Sequence, residues 1–295
     1  MELRVLKYFL AVAREESISR AAEQLHMSQP PLSRQIRELE EELGKQLLVR
    51  GSRKVTLTEE GMILRRRAEE ILSLAEKTRS EVMLSSEDVR GVISIGCAET
   101  EGMRVIARKF RALREDYPQV RIHLHSGNAD DVLERLDKGL LDFGVVIEPT
   151  DLLKYDFLRL PGRDTWGLLM RRDHPLAQKS FITPTDLRNT QLLISRQSQV
   201  LQDFSVWLGQ NIDPLQIVGT YNLLFNAAVM VEQGLGCALA LDHLVDTMDV
   251  RPLCFRPLSP TSQVALNLVY KKQQAFSPAA EAFLQIVKAD CGQVS

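Results

Sequence analysis

The sequence lacks most of the features that announce chemistry on sight. No stretch approaches the roughly 18 uninterrupted apolar residues of a membrane-spanning helix, so no membrane partner is expected. The opening residues, MELRVLKYFL, mix acid and base in the first turns and have no apolar core of the sort a signal peptide needs. Cysteine is scarce and scattered: Cys97, Cys237, Cys254 and Cys291 form no CxxC pair. Without a leader they read as reduced thiols of a cytoplasmic protein. Phosphate-loop, dinucleotide and nucleophile-elbow signatures are missing. His123 and His125 share a face of the alternating run VRIHLH, but no third ligand stands at metal spacing, so neither metal nor cofactor is expected. With no catalytic constellation, an enzyme is not expected either. Charge of one sign is also missing: 37 basic residues stand against 39 acidic ones, a net charge of −2. A polyanion partner would have to be recognised by local arrangement alone.

What is present is order along the chain. A length of 295 residues suggests two or three domains. Residues 1–84 read as helices interrupted at Pro30/Pro31, Gly44, Gly51 and Gly61. The character changes after SSEDVRG, residues 85–91. VISIGC, VRIHLH and DFGVVI read as strands, with the helices RVIARKFRALRED and ADDVLERLDKG between them. That β-α-β-α-β order implies a parallel sheet with crossover helices. The pattern restarts near residue 163 with TWGLLMRR, QLLISR and PLQIVG, followed by the helical LLFNAAVMVEQG. It closes with the strand VALNLVY and the helix PAAEAFLQIVK.

In the first 60 residues, Leu3, Leu6, Phe9 and Ala13 are spaced for one helix face. A second helix follows Ser17, a suitable N-cap, and contributes Ile18, Ala21, Ala22 and Leu25. A third has the stripe Leu32, Ile36, Leu39 and Leu43, which places Arg34 directly opposite and Arg37 and Pro30 beside it, with Ser33 on the flank. Two helices joined by a short turn, the second with an outward basic N-terminal half, spell a helix-turn-helix. With Ser28 as N-cap, Gln29, Pro30 and Pro31 fill a first turn whose amides lack intrahelical partners, so proline is tolerated there and stiffens that end. A helix N-terminus also favours phosphate. LLVR and KVTLT then flank a Gly-Ser turn as a β-hairpin wing carrying Arg50, Arg53 and Lys54. The acids Glu38, Glu40, Glu41 and Glu42 precede it, and RELE reads as a solvated stretch. The ten basic and ten acidic residues of 1–60 cancel overall, yet the bases collect at one helix end and on the wing, as phosphate contact requires.

Residues 21–61, AAEQLHMSQPPLSRQIRELEEELGKQLLVRGSRKVTLTEEG, resemble the N-terminal domain of LysR-type transcriptional regulators. The matching elements are the alanine pair, SQPPLSRQI, LE-x-x-LG, L-x-x-R before the wing and LT-x-x-G after it. The resemblance implies a winged helix-turn-helix DNA-binding domain over residues 1–60, otherwise all-α, and a linker and dimerisation helix over 61–90. It implies an effector-binding α/β domain over 91–295 with two lobes of periplasmic-binding-protein type. Lobe 1 would comprise about 91–162 and 267–295, and lobe 2 about 163–266. The residues expected at double-stranded promoter DNA are Ser28, Gln29, Pro30, Pro31, Ser33, Arg34 and Arg37, with Arg50, Arg53 and Lys54 of the wing.

In the linker, Leu64, Ala68, Ile71, Ala75, Thr78 and Val82 recur as a heptad seam, and pairing with a second copy would present two recognition helices to successive half-sites. The family often pairs such dimers into tetramers. Its effector cleft implies roles for Glu99 and Thr100 after the first strand, for Ile147 and Glu148 after DFGVVI, for Ser195 and Arg196 after QLLISR, and for Asn222. The carboxylates Glu99 and Glu101 flank Thr100, where Coulomb repulsion would oppose an anion, so a neutral, zwitterionic or amine-bearing small molecule is expected, with Arg196 able to offset the charge. Peroxide sensing is not expected, because the run after Ser195 contains no cysteine. The competing reading is a cytosolic solute-binding protein or enzyme whose N-terminal helices only oligomerise. It leaves the proline-opened helix and basic wing without a role.

Overall fold

The structure is a computed structural model that describes residues 1–51, 54–83, 89–209, 213, 216–247 and 252–289. The chain divides into two compact units, Met1–Met83 and Leu84–Ser295.

The first unit opens with helices α1 (Leu3–Glu15), α2 (Ile18–Gln24) and α3 (Gln29–Leu43). Val5, Phe9 and Val12 meet Ala21 and Ala22 of α2 and Leu32, Ile36 and Leu39 of α3 in one core. The two alanines are 0% and 2% exposed, which lets the helix backbones approach closely. The ends of the expected apolar stripes fall outside the core: Leu3 is 47% exposed and Leu43 41%. Ser17 caps α2 by accepting from the Arg20 amide at 3.3 Å. His26 makes the turn to α3 in a left-handed conformation, φ 52°, a region that costs most non-glycine residues free energy.

Strands β1 (Leu48–Arg50) and β2 (Val55–Leu57) pair antiparallel as the wing, with Val49 opposite Thr56. Helix α4 (Glu59–Met83) follows. Gly61, at its start, lies against Leu47, whose carbonyl oxygen any Cβ would strike. The seam expected on α4 begins later than its spacing suggests. Ala68 is fully buried, and Leu64, half-buried, packs against the unit's own core. The accessible stripe is Ile71, Leu74, Ala75, Thr78, Val82 and Met83.

The second unit contains strands β3 (Gly91–Cys97), β4 (Val120–Ser126) and β5 (Phe143–Ile147), with α5 (Met103–Asp116) and α6 (Ala129–Asp137) as crossovers. All three strands are parallel, as their alternation with helices demands. Strand β6 (Tyr155–Arg171) comes next, then β7 (Leu192–Ser195), α7 (Ser198–Leu208), β8 (Ile217–Tyr221), α8 (Leu224–Glu232) and β9 (Cys237–Leu241). The unit ends with β10 (Leu253–Pro257), β11 (Gln263–Lys271) and α9 (Pro278–Lys288). The main sheet runs β4-β3-β5-β11-β6-β9-β7-β8.

The 17-residue β6 belongs to both lobes. Tyr155–Thr165 pair antiparallel with β11, whereas Trp166–Leu169 pair with β9 and Gly167–Arg171 with β10. The sequence pattern signalled only its second half, because Asp156, Arg159 and Arg163 disguise the first. Each lobe keeps its own core. Ile93, Ile95, Phe143, Leu268 and Phe283 serve one, and Leu168, Met170, Ile194 and Leu239 the other. The chain passes between lobes at two places, near residues 164–166 and again at 258–263, where Trp166 N donates to Ser262 O at 2.9 Å and Leu258 N to Trp166 O at 3.0 Å.

Candidate functional site

Two regions collect polar groups that the fold itself does not explain. The first is the start of α3. Ser28 occupies the N-cap position with extended backbone, φ −79° and ψ 152°. A capping serine accepts from the amide of the second or third helical residue. Here those residues are Pro30 and Pro31, which have no N–H. Ser28 accordingly makes no side-chain cap bond and is exposed, which corrects the capping role expected of it. The prolines also remove two of the four free amides that this helix end would otherwise offer a phosphate.

Pro30, Pro31, Arg34 and Arg37 are exposed, Ser33 is half-buried, and Leu32, Ile36 and Leu39 are buried on the other side. Gln29 Oε1 accepts from Ser19 Oγ at 3.2 Å. Arg34 pairs with Glu38 at 3.6 Å, with the side chains 74% and 53% exposed, so the pair contributes little to stability. In the wing, Lys54 meets Glu16 at 3.2 Å and Arg50 stands 3.9 Å from Glu40. Arg53 lies outside the described residues. Glu40 corrects the reading of RELE as merely solvated: one of its oxygens accepts from the amides of Leu47 and Leu48 at 2.8 and 3.1 Å, tying α3 to the wing.

The second region is the cleft between the lobes. The Thr100 hydroxyl donates to Asp164 Oδ2 at 2.5 Å and accepts from Gly102 N at 2.9 Å. Both Thr100 and Asp164 are buried, at 6% and 3% exposure. Burial holds the Asp164 carboxyl above its usual range, the Thr100 hydrogen bond works against that, and nearby Asp242 and Glu101 add to the rise. Glu99 crosses to the other lobe, where Oε2 accepts from Leu224 N, the first amide of α8. The N-cap of α8 is Leu223, which has no acceptor, so Glu99 caps that helix from across the cleft. Glu148 accepts from Arg159 at 2.6 Å and from Asn267 at 3.1 Å. Partial burial would raise its pKa, but those two hydrogen bonds and the charges of Arg159 and Arg163 hold it below the usual range.

Three recesses open here. One of about 260 Å³ is lined by Glu148, Trp166, Phe204, Trp207, Leu239 and Leu258 among others. A second, about 50 Å³, is lined by Glu99, Asn128, Ser195, Gln197, Tyr221 and Asn222 among others, and shares Trp166. A third, about 480 Å³, mixes charged and apolar groups in its wall, with Glu101, Arg104, Asp242 and Asp246 beside Leu169, Leu224 and Phe255.

Of the residues expected at the effector site, Glu148 thus faces the first cavity, and Glu99, Ile147, Ser195 and Asn222 the second. Thr100 lines none of the three, being spent on Asp164, and the exposed Arg196 lines none either. Sequence reading missed Trp166, Phe204, Trp207, Asn128 and Gln197. A signal existed for two of them, since the chain has only two tryptophans.

Cys97, Cys237 and Cys254 are buried and unpaired. Burial raises the pKa of each, that of Cys237 to about 12, so none is a ready thiolate. Cys291 lies outside the described residues. No group of three metal-ligating side chains occurs among the described residues.

A winged helix-turn-helix joined to a two-lobed α/β domain with an interlobe cavity defines a DNA-binding regulator that carries its own sensor. Residues 3–62 match the bacterial regulatory helix-turn-helix proteins of the lysR family, and residues 86–292 match the LysR substrate binding domain. The chain belongs to the LysR family of transcriptional regulators: a DNA-binding, effector-responsive regulator rather than an enzyme. It is 30% identical over 278 residues to a hydrogen peroxide-inducible genes activator of Dickeya chrysanthemi, across 92% of this chain and 90% of that one. It is 30% identical to the Hca operon transcriptional activator HcaR of Escherichia coli (strain K12) over 299 residues, 100% of both chains. Full-length CbnR, solved in complex with its target DNA, shares the fold with a TM-score of 0.73 at 22% identity, over 98% of this chain and 99% of CbnR. No helix among the described residues is long and apolar enough to cross a membrane.

Proposed function

We propose that this regulator reads promoter DNA in the cytoplasm through the outward face of α3. Ser28, Gln29, Pro30, Pro31, Ser33, Arg34 and Arg37 would enter the major groove, with Arg50, Arg53 and Lys54 of the wing on the backbone. The observation that carries this reading is the division of α3: Leu32, Ile36 and Leu39 buried on one side, and Arg34 and Arg37 exposed on the other, with Arg34 only loosely paired to Glu38. Ile71, Ala75, Thr78 and Val82, joined by Leu74, form the stripe that a second copy would cover. The working division is residues 1–60 for DNA, 61–90 for linkage and 91–295 for the effector.

The effector sits between the lobes, and its chemistry is neutral, zwitterionic or amine-bearing rather than a simple carboxylic acid, because Glu99 and Glu148 stand in the cavity walls. A gel shift with DNA from upstream of the chain's own gene, run at several salt concentrations, tests the DNA reading. The wild type should prefer one site over scrambled DNA, and Arg34→Ala should weaken that preference. Weak, sequence-blind binding that Arg34→Ala leaves unchanged would refute it.

A further inference from the structure

We infer that the 260 Å³ cavity is the seat of an uncharged, planar ring compound. This rests on the reading of the α/β unit as the effector-binding part. Of the two recesses that share Trp166, this is the roomier. The other, at about 50 Å³, has less than a fifth of its volume.

Three aromatic side chains, Trp166, Phe204 and Trp207, stand in its wall beside the aliphatic Leu239, Leu258 and Val264. Both tryptophans of the chain line this cavity. Phe204 and Trp207 lie stacked, with centroids 5.5 Å apart and planes 9° from parallel. Trp207 Nε1 donates to Pro260 O at 2.8 Å, which fixes the indole at the lobe crossing and satisfies its one polar atom. Trp166 is pinned by its backbone bonds to Ser262 and Leu258.

The charges are already spent. No lysine or arginine among the described residues lines either recess, so an anion finds no cation there. The α8 amide that would receive an anion is occupied by Glu99. The carboxylate in the wall already faces a cation, since Glu148 Oε1 accepts from Arg159 and Asn267, which offsets the charge a ligand cation would meet. What remains for a ligand is ring surface, with Ser262 and Gln263 to bond a neutral polar substituent.

The two tryptophans make the full-length protein its own reporter. Intrinsic fluorescence is titrated with phenylacetamide, phenylacetate and 2-phenylethylamine, which present one ring with a neutral, an anionic and a cationic tail. Phenylacetamide should quench saturably, at least about tenfold more tightly than either charged probe. Trp166→Phe and Trp207→Phe, each checked for an unchanged thermal midpoint, should weaken it. The inference is overturned by equal or tighter binding of a charged probe, or by unaltered affinity in both tryptophan variants. No saturable quenching up to about 10 mM overturns it as well. The effector-binding reading fails separately: it falls only if no compound changes the thermal midpoint or the DNA shift of the same protein.

Discussion

At the start of α3, Ser28 has nothing to cap, Pro30 and Pro31 offer no amides, and Arg34 and Arg37 project into solvent with at most a loose ion pair. In the interlobe cleft, Thr100 is committed to Asp164, Glu99 to the first amide of α8, and Glu148 to Arg159 and Asn267. One region keeps its polar groups open; the other satisfies them internally. The difference matches the partners. Nucleic acid brings its own dense charge and displaces exposed, weakly paired side chains at little cost. A small molecule entering a buried cleft brings few groups, and any unpaired charge left in the wall would be costly. The cleft therefore neutralises itself and offers shape and ring surface.

The sharpest way to break this comparison is to remove one group from each region. Thr100→Val takes away the hydroxyl that the buried Asp164 accepts from, and should cost roughly 1–3 kcal/mol in thermal or urea unfolding while DNA affinity per folded molecule stays the same. Arg34→Ala should do the reverse, losing about 1–3 kcal/mol of affinity for the specific site with an unfolding midpoint near that of the wild type. Equal loss of stability in both variants would erase the distinction.

The pH dependence of Asp164 sharpens it next. Its folded pKa is raised above 3.8, so between 3.8 and that higher value the folded state binds more protons than the unfolded one. Stability from this group is therefore present at low pH and falls as pH rises through the folded pKa. Asp164→Asn should flatten that slope in melts across this window; a slope unchanged from wild type would show that the carboxyl is not desolvated.

A smaller effect separates the two serines that precede helices. Ser17→Ala should cost about 1 kcal/mol, the ordinary value of an N-cap. Ser28→Ala should stay within about 0.5 kcal/mol, as for a surface change, because no amide is there to accept from. Finally, the three described cysteines should react with a thiol-labelling reagent no faster than global unfolding allows. Prompt labelling of the native protein would contradict their raised pKa values.

Much of the first unit could be read directly. Its elements are amphipathic helices and a short hairpin, and the contacts that matter recur every three or four residues along the chain. The alanine pair, the buried stripe on α3 and the outward arginines all follow from that period. The absence of a cap at Ser28 was equally readable, since it needs only the two prolines that follow. Glu40 was not, because its partners, the Leu47 and Leu48 amides, lie across a turn. Nor was the loss of Leu64 and Ala68 from the α4 stripe, since spacing cannot tell which side of a helix its own domain has already covered. In the second unit the strands and crossover helices were legible as a class. The double membership of β6 was hidden by its charged first half.

By itself, the sequence determined the type of each element, the face that α3 turns outward and the family to which the chain belongs. Those properties are set by local periodicity and by motifs of consecutive residues. Only the tertiary structure decided that Glu99 caps a helix 125 residues further along, that Thr100 serves Asp164 instead of the cavity, and that Trp166 and Trp207 share one wall. These are pairings between residues far apart in the chain, brought together where β6 passes from one lobe to the other, and no periodicity encodes them.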